Sequence, residues 1–561
     1  MKYLIIGAVA GGASTAARLR RLDEQAEIIL IEKGEYISYA NCGLPYYIGD
    51  VIKERNKLFV QTANSFNERF NISVRPNTEA LSIDREKKEV TLFNLVKGEK
   101  YQETYDKLVL SPGAVAIVPP FPGINLPGIF TVRNVNDTDL IKSAVQKESL
   151  THATVIGAGF IGLEMVENLH HLGIDVTLIE RADQVLPPVD FPVAALAQKE
   201  LMNRGVELLL STSVTGFERA ENGKLKVNVD ASDPIETDIV ILSIGVKPNA
   251  KLAIEANLEI GKFGGIVVNA HLQTSDPDIY AVGDVIEFKS PFTDLNTPTY
   301  LAGPANKQGR ICANNLVFGN TSEYKGSINT AIVKLFDFTF ATAGLSERML
   351  KQNNIPFITS TNFGASNAGY YPGAEQMVIQ ISFSPKDGTI LGAQVAGIKG
   401  VDKRIDILSL LIQQKGSIYD LTEFEHAYAP PFSSSKDPLN MAGFAAENLM
   451  NDLNKIYYWN QIDEIKTDKL FLDVRTAAEF SNGTIGDALN FPLETIRERI
   501  NELPKDKKLA IFCKTGVRSY IAQRILRQNG FDVTNLSGGY DLWRICQEGM
   551  VKTTKDISEI N

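Results

Sequence analysis

Hydrophobic positions at the start of the chain form an unbroken run, Tyr3-Leu-Ile-Ile6, which meets a glycine-rich turn, Gly7-Ala-Val-Ala-Gly-Gly12. A short continuous apolar run ending at glycine is the pattern of a strand buried on both faces. Helical spacing follows to about Leu22, and a second strand pattern, Glu27 to Ile31, closes on Glu32. Together these predict a βαβ unit. The pattern recurs from Ala153 to Ile156, through the turn Gly157-Ala-Gly-Phe-Ile-Gly162, a helix to about Leu172, and a strand from Val176 to Ile179 closing on Glu180. Two further β-rich runs, Tyr105 to Gly113 and Ile239 to Asn249, are punctuated by Gly or Pro, and each is expected to complete one Rossmann-like half.

Beyond Gly326 the rhythm changes. Mixed strand and helix patterns without a nucleotide turn run to about Ala446 and predict an α+β unit that serves assembly. Polar Asn448 to Lys455 reads as a linker, and Tyr457 to about Met550 alternates strands and helices again. The polar tail after Val551 is expected to fray. The expected domains are thus 1–113 with 251–325, 114–250, 326–446, a linker at 447–456, and a last domain at 457–550.

Composition narrows the function classes. The 561 residues suffice for several domains of roughly 150 residues each. A hydrophobic share of 44% against a charged share of 22% excludes general disorder. The net charge of −10 disfavours nucleic acid and anionic membrane as partners, because both select for clustered Lys and Arg. Apolar stretches are broken well short of the roughly 20 residues needed to span a bilayer. Met1 to Ala10 reads as a buried strand, not a secretory signal, so a soluble protein is expected. Cys42, Cys312, Cys513 and Cys546 are too few and scattered for a disulfide framework and form no CxxC pair, so no metal is expected, and a reducing cytoplasm fits best.

In a dinucleotide fingerprint the first glycine makes the turn, the second admits pyrophosphate, the third packs helix on strand, and a later carboxylate holds ribose hydroxyls. Gly157, Gly159, Gly162 and Glu180 meet every element; Gly7, Ala10, Gly11, Gly12, Glu32 and Lys33 are the matching candidates in the first unit, where Val9 departs at the middle position. Two dinucleotides in one chain suggest a flavin beside a nicotinamide. The run Thr274-Ser-Asp-Pro-Asp-Ile-Tyr-Ala-Val-Gly-Asp284 resembles the second flavin motif of the two-dinucleotide-binding flavoproteins, which implies Asp284 on the ribityl chain, FAD in the first unit and NADH or NADPH in the second. Glu180 repels a 2′-phosphate while Arg181 accepts one, so both coenzymes stay open.

Cys42 follows the first unit in Ser38-Tyr-Ala-Asn-Cys-Gly-Leu-Pro-Tyr-Tyr47, with Pro45 suited to a first helical turn. A thiol at a helix N-terminus is expected to have a lowered pKa. Position 47 is Tyr, so no CxxxxC pair exists, and Cys42 must cycle through a mixed disulfide, a persulfide or a sulfenic acid.

The segments Gly7 to Ser14, Asn41 to Tyr46, Tyr370-Tyr-Pro-Gly373 and Ala427 to Asn440 together resemble the coenzyme A-disulfide reductase group of the pyridine nucleotide-disulfide oxidoreductases over about residues 1 to 445. That group shares the Val9 departure. The resemblance implies a homodimer with FAD in which Cys42 exchanges with the sulfur of coenzyme A, assisted by Tyr370 and Tyr428 of the partner subunit. It also implies coenzyme A contacts at Ser14, Arg18, Arg21, Ser38, Asn41 and Lys436, while Phe70 stands where the group often has a phosphate-binding Lys. Tyr428 takes the place of the histidine base of two-cysteine relatives, and neighbouring His426 is a second candidate base. As isolated charges, Arg18 and Arg21 would be solvated surface.

The last block, with Leu472-Asp-Val-Arg475, Glu479-Phe480 and Cys513-Lys-Thr-Gly-Val-Arg-Ser519, resembles a single rhodanese domain. Its loop to Arg518 is one residue shorter than a phosphatase loop and suits sulfur, with Cys513 as nucleophile and backbone amides as its nest. Thr484 replaces the family's usual His. The expected fold is α/β: two Rossmann-like FAD and NAD(P)-binding domains, an α+β dimerisation domain and a C-terminal rhodanese domain. The expected activity is NAD(P)H-dependent reduction of coenzyme A persulfide, polysulfide or coenzyme A disulfide through Cys42, with Cys513 carrying sulfane sulfur. The alternatives are an NADH oxidase or peroxidase using Cys42 sulfenic acid, and a sulfurtransferase whose flavin part is regulatory.

Overall fold

The computed structural model describes residues 1–147, 150–230, 232–293 and 295–551; the tail expected to fray after Val551 lies outside them. The chain divides into two compact units, residues 1–181 with 212–329 and residues 182–211 with 330–561.

In the first unit, a parallel five-stranded sheet has the spatial order Ile279–Ala281, Lys107–Leu110, Lys2–Ile6, Glu27–Ile31, Ser73–Arg75. Leu4, Ile5, Leu30, Leu108 and Val109 are sealed in it, as consecutive apolar residues require when both faces are covered. The helix Ala10–Leu22 fills the expected first crossover. Its buried Arg20 donates to the carbonyls of Phe70, Asn71, Asp23, Glu24 and Ala26, so this one arginine of the helix is structural. The second Rossmann half repeats the arrangement with parallel strands Asp175–Ile179, His152–Ile156, Ile239–Leu242 and Ile129–Thr131 and the helix Phe160–His171. Antiparallel strands Ala114–Ala116 and Val246–Pro248 mark where the chain crosses between the halves.

In the second unit, an antiparallel five-stranded sheet has the order Ala331–Leu335, Phe338–Gly344, Ile390–Gly397, Gln376–Phe383, Ile358–Ala365, backed by the helices Val401–Gln413 and Pro438–Met450. A parallel sheet follows in the order Ile456–Tyr457, Val533–Leu536, Lys508–Phe512, Lys469–Asp473, Leu489–Asn490. Two boundaries differ from expectation. The helix Pro438–Met450 runs into the expected linker, because Asp437 and Pro438 start it firmly and its one glycine, Gly443, is buried where a Cβ would lie 2.8 Å from that of Leu421. The helix Phe191–Asn203, expected in the second nucleotide domain, packs instead with the last block. Gln198 donates to the Gly549 carbonyl at 2.6 Å, Phe191 stacks on Trp459 at 5.2 Å, and a Cβ on Gly549 would lie 2.6 Å from that of Ala195. Asp190 caps this corner as a buried carboxylate accepting from Gln394, Gln380 and the Glu347 amide at 2.6, 2.7 and 2.9 Å. Among the described residues no helix is long and apolar enough to cross a membrane.

Candidate functional site

The two glycine turns have the same geometry. Gly7 and Gly157 both adopt φ near +100°, with ideal Cβ positions 2.0 and 2.5 Å from the carbonyls of Ser111 and Ser243, so only glycine fits. A Cβ on Gly12 or Gly162 would lie 1.8 or 1.9 Å from the turn's own carbonyl, which fixes how closely helix meets strand. Gly159 has open space where a Cβ would be, as an approaching pyrophosphate requires. Glu32 accepts from the Ala8 amide at 2.9 Å and Glu180 from the Ala158 amide at 2.8 Å, which hold each candidate ribose carboxylate at its turn. Burial raises the Glu32 pKa. Both turns fit a dinucleotide. Lys33, by contrast, is exposed and pairs with Glu79 at 2.9 Å, so its side chain belongs to the surface.

Asp284 follows Gly283, which has φ of +84° and whose amide donates to Gln308 at 2.7 Å. Burial pushes the Asp284 pKa up, against the pull of Arg133 3.4 Å away. Arg133 also donates to the Ala114 carbonyl at 2.9 Å and was not legible as a site residue.

Cys42 lies in the 3-10 turn Asn41–Gly43, immediately before the five-residue helix Leu44–Ile48 with Pro45 in its first turn. The thiol is exposed, yet desolvation by the surrounding protein raises its pKa, and the carboxylates of Glu164 and Asp284 add to the rise. The expected lowering is therefore reversed: desolvation, with two anions added to it, outweighs one short helix. A hydrogen-bonded pair lies near it. Tyr46, four residues on, donates to Glu164 at 3.1 Å, and burial pushes Glu164 up to about 7, with Glu167 adding to the shift. Glu164 sits on the second nucleotide helix, 118 residues from Tyr46, and no local motif marks it.

Of the coenzyme A candidates in this unit, Ser38 adopts an uncommon φ of +44° and its amide donates to Ala8 at 2.8 Å, joining the Cys42 segment to the first glycine turn. The Asn41 side-chain carbonyl is buried without a hydrogen-bond partner, an acceptor left for a ligand donor. Ser14 donates to Asn306 at 2.5 Å and Arg18 to Asn314 at 3.1 Å. Desolvation and then the like charges of Arg310 and Arg21 lower the Arg18 pKa, so three arginines converge there. Phe70 packs against Phe66 at 5.0 Å and offers no phosphate contact.

In the second unit the hydroxyls of Tyr370 and Tyr428 meet at 3.0 Å, both exposed, and that bond raises the Tyr428 pKa. A fully buried ion pair holds their loops. Arg404 binds Asp437 at 2.8 Å and reaches the Ser366 carbonyl at 3.2 Å, while Ala368 donates to Pro430 at 3.1 Å. His426 donates through Nε2 to the Ser434 carbonyl at 2.9 Å, which makes it a loop tie. Lys436 is exposed next to Asp437.

Cys513 ends the strand Lys508–Phe512 and is 1% exposed. Its carbonyl and that of Lys514 are drawn away by the amides of Tyr540 and Asp541 at 2.8 and 2.9 Å. Gly538 and Gly539, at φ of +72° and +64°, make that approach possible. The sulfur is left facing donors: the Gly516 amide at 3.2 Å and the Ser519 hydroxyl at 3.3 Å. Ser519 is a site residue that the motif contained without signalling its role. Arg518 is bound through both nitrogens by Glu479 at 2.6 and 2.7 Å, so its guanidinium is already occupied. Thr484 donates to Asp473 at 2.9 Å, and Asp473 pairs with buried Arg475, which lies 3.9 Å over the Tyr540 ring. The substitution for His is thus absorbed by packing.

Residues 1–309 match the family model for pyridine nucleotide-disulphide oxidoreductase, 330–438 the dimerisation domain of that family, and 456–546 the rhodanese-like domain. The chain is 36% identical over 446 residues to a Staphylococcus aureus protein named coenzyme A disulfide reductase, covering 80% of this chain and 100% of that one. The reduced Bacillus anthracis structure named CoADR-RHD is 46% identical with a TM-score of 0.95, over 98% of both chains. A structure named NAD-dependent persulfide reductase from A. fulgidus is 35% identical with a TM-score of 0.91, over 97% of this chain and 100% of that one.

Proposed function

The chain belongs to the pyridine nucleotide-disulphide oxidoreductase family, whose members work with FAD and NAD(P)H, and from that membership we propose that it reduces the sulfur–sulfur bonds of coenzyme A-linked or inorganic sulfane sulfur, with Cys42 as reducing thiol and Cys513 as sulfur carrier. The observation that carries this reading is the presence, in one chain, of an exposed, unpaired Cys42 and a Cys513 whose sulfur is held by hydrogen-bond donors.

In this reading Gly7, Gly11, Gly12 and Glu32 cradle FAD with Asp284 on its ribityl chain, and Gly157, Gly159, Gly162 and Glu180 take the nicotinamide coenzyme. Bound FAD supplies the electron pair that NAD(P)H delivers as hydride. Cys42 thiolate attacks the coenzyme A sulfur of a persulfide; the S–S bond breaks, hydrosulfide leaves with the electron pair, and a mixed disulfide forms. Two electrons from NAD(P)H then split that disulfide, and coenzyme A leaves as the thiol. Asn41, Ser38, Ser14, Arg18, Arg21 and Lys436 orient coenzyme A, and Arg310 joins them through its place beside Arg18. Tyr370 and Tyr428 of the partner subunit hydrogen-bond the departing sulfur in a cytoplasmic homodimer, a role their paired hydroxyls suit. The relatives named for the disulfide and for the persulfide support both substrates; the attached carrier domain favours the persulfide, since a simple disulfide needs no sulfur carrier.

The test is anaerobic oxidation of NADH and of NADPH with coenzyme A persulfide, polysulfide and coenzyme A disulfide in parallel, using wild type, Cys42→Ser and Cys513→Ser. Cys513→Ser is preferable to removing the last domain, because helix Gly539–Gly549 packs on Phe191–Asn203. The expected outcome is turnover that requires Cys42 with every substrate and is fastest with persulfide. Turnover fastest with the disulfide and indifferent to Cys513 would sink the carrier role.

A further inference from the structure

Among the described residues around Cys513, Arg518 and Arg475 are each paired with a carboxylate, and exposed Lys514 has Asp541 near it. Arg518 is held bidentately by Glu479, with Glu494 adding a second negative charge. Arg475 is paired with Asp473, and Asp541 faces Lys514, Arg544 and Arg475. The hydrogen bond from Arg518 pushes Glu479 down to about 2, so it stays ionised at any physiological pH. What the sulfur itself meets is neutral: one amide, one hydroxyl. Beside them Val517 and Ile521, on the first turns of helix Val517–Gln528, expose an apolar edge.

Two kinds of sulfane donor differ in what they ask of such a cradle. Thiosulfate brings a dianion and leaves as sulfite, so its transfer needs uncompensated positive charge near the leaving group. An organic persulfide brings at most one charge to its reacting end, at the sulfur that is transferred, and leaves as a thiolate on an alkyl arm; in coenzyme A the phosphates lie at the far end of that arm. We infer that Cys513 takes its sulfur from organic persulfides and discriminates against thiosulfate, and that Glu479 sets this specificity by occupying Arg518. This rests on the carrier role proposed above. In the step, Cys513 thiolate attacks the terminal sulfur of R–S–S⁻, a new sulfur–sulfur bond forms as the old sulfur–sulfur bond breaks, and R–S⁻ leaves with the electron pair. Cys513 then carries the persulfide anion. Charge and electrons balance without an oxidant.

The experiment follows loading of Cys513 in the full-length, flavin-bearing protein without NAD(P)H, by rapid quench and peptide mass, offering coenzyme A persulfide or thiosulfate. Glu479→Gln keeps the side-chain cap on Thr476 and removes the charge. Wild type is expected to load about tenfold or more faster from the persulfide, and Glu479→Gln to raise the thiosulfate rate by about tenfold at low salt while moving the persulfide rate less than about twofold. The gain should shrink at high salt. Equal loading of wild type from both donors, or a Gln variant that changes both rates alike, overturns the inference alone. Absence of Cys513 loading from either donor overturns the carrier role and this inference with it. If the Gln variant does not fold, the wild-type ratio still decides.

Discussion

The thiol of Cys42 is exposed on a short turn and faces two carboxylates that disfavour its anion, whereas Cys513 is sealed at a strand end with an amide and a hydroxyl on its sulfur. The chain thus surrounds its two candidate nucleophiles differently. At Cys513 activation is built into the loop, because backbone carbonyls are pulled away and donors remain. At Cys42 the surrounding chain alone opposes the thiolate, so its reactivity must depend on what binds there.

The largest effect that sharpens this contrast is expected for Cys42→Ser. It should lower NAD(P)H-linked turnover by more than about 1000-fold on every sulfur substrate, yet leave loading of Cys513 unchanged. Stopped-flow oxidation and peptide mass read the two separately, and parallel losses would show one coupled site. Next comes the clamp on the tyrosine loops: Arg404→Leu strands the buried Asp437 carboxylate, at a cost of about 3–5 kcal/mol in denaturant unfolding. A cost below about 1 kcal/mol would show that the pair does not hold those loops.

Ser519→Ala removes one of two donors on the Cys513 sulfur and should slow alkylation of that thiol at fixed pH by about fivefold, with Cys42 unaffected. The smallest effect belongs to Glu164→Gln, which should speed Cys42 alkylation a few-fold (~3-fold) at pH 8 by removing one of the two anions. The linkage sign is set by a folded pKa raised to about 7 from 4.5. Relative stability from this carboxyl is fully present below pH 4.5, is lost as pH rises toward 7, and stays lost above. Glu164→Gln should therefore gain at most about 3 kcal/mol above pH 7 and nothing at pH 4. Thermal melts across that range check it, and a pH-independent difference would show that burial does not shift the Glu164 carboxyl.

Both glycine turns, their carboxylates and the Cys513 loop were legible because each is a local pattern: a strand, a turn that only glycine fits, and a helix lie within about thirty residues. The sequence by itself therefore determined the two βαβ units, the family and the rhodanese-like domain at the end. It did not determine the state of Cys42 or Cys513. Glu164 reaches Tyr46 across 118 residues and Glu479 reaches Arg518 across 39, and no periodicity links such pairs. Lys33 satisfied its motif but pairs outward with Glu79. The helix Phe191–Asn203 joined the last domain because its small residues, Ala195 among them, let Gly549 approach to within contact. Electrostatic environment and packing partners are sums over neighbours brought together by the fold, so only the tertiary structure could decide them.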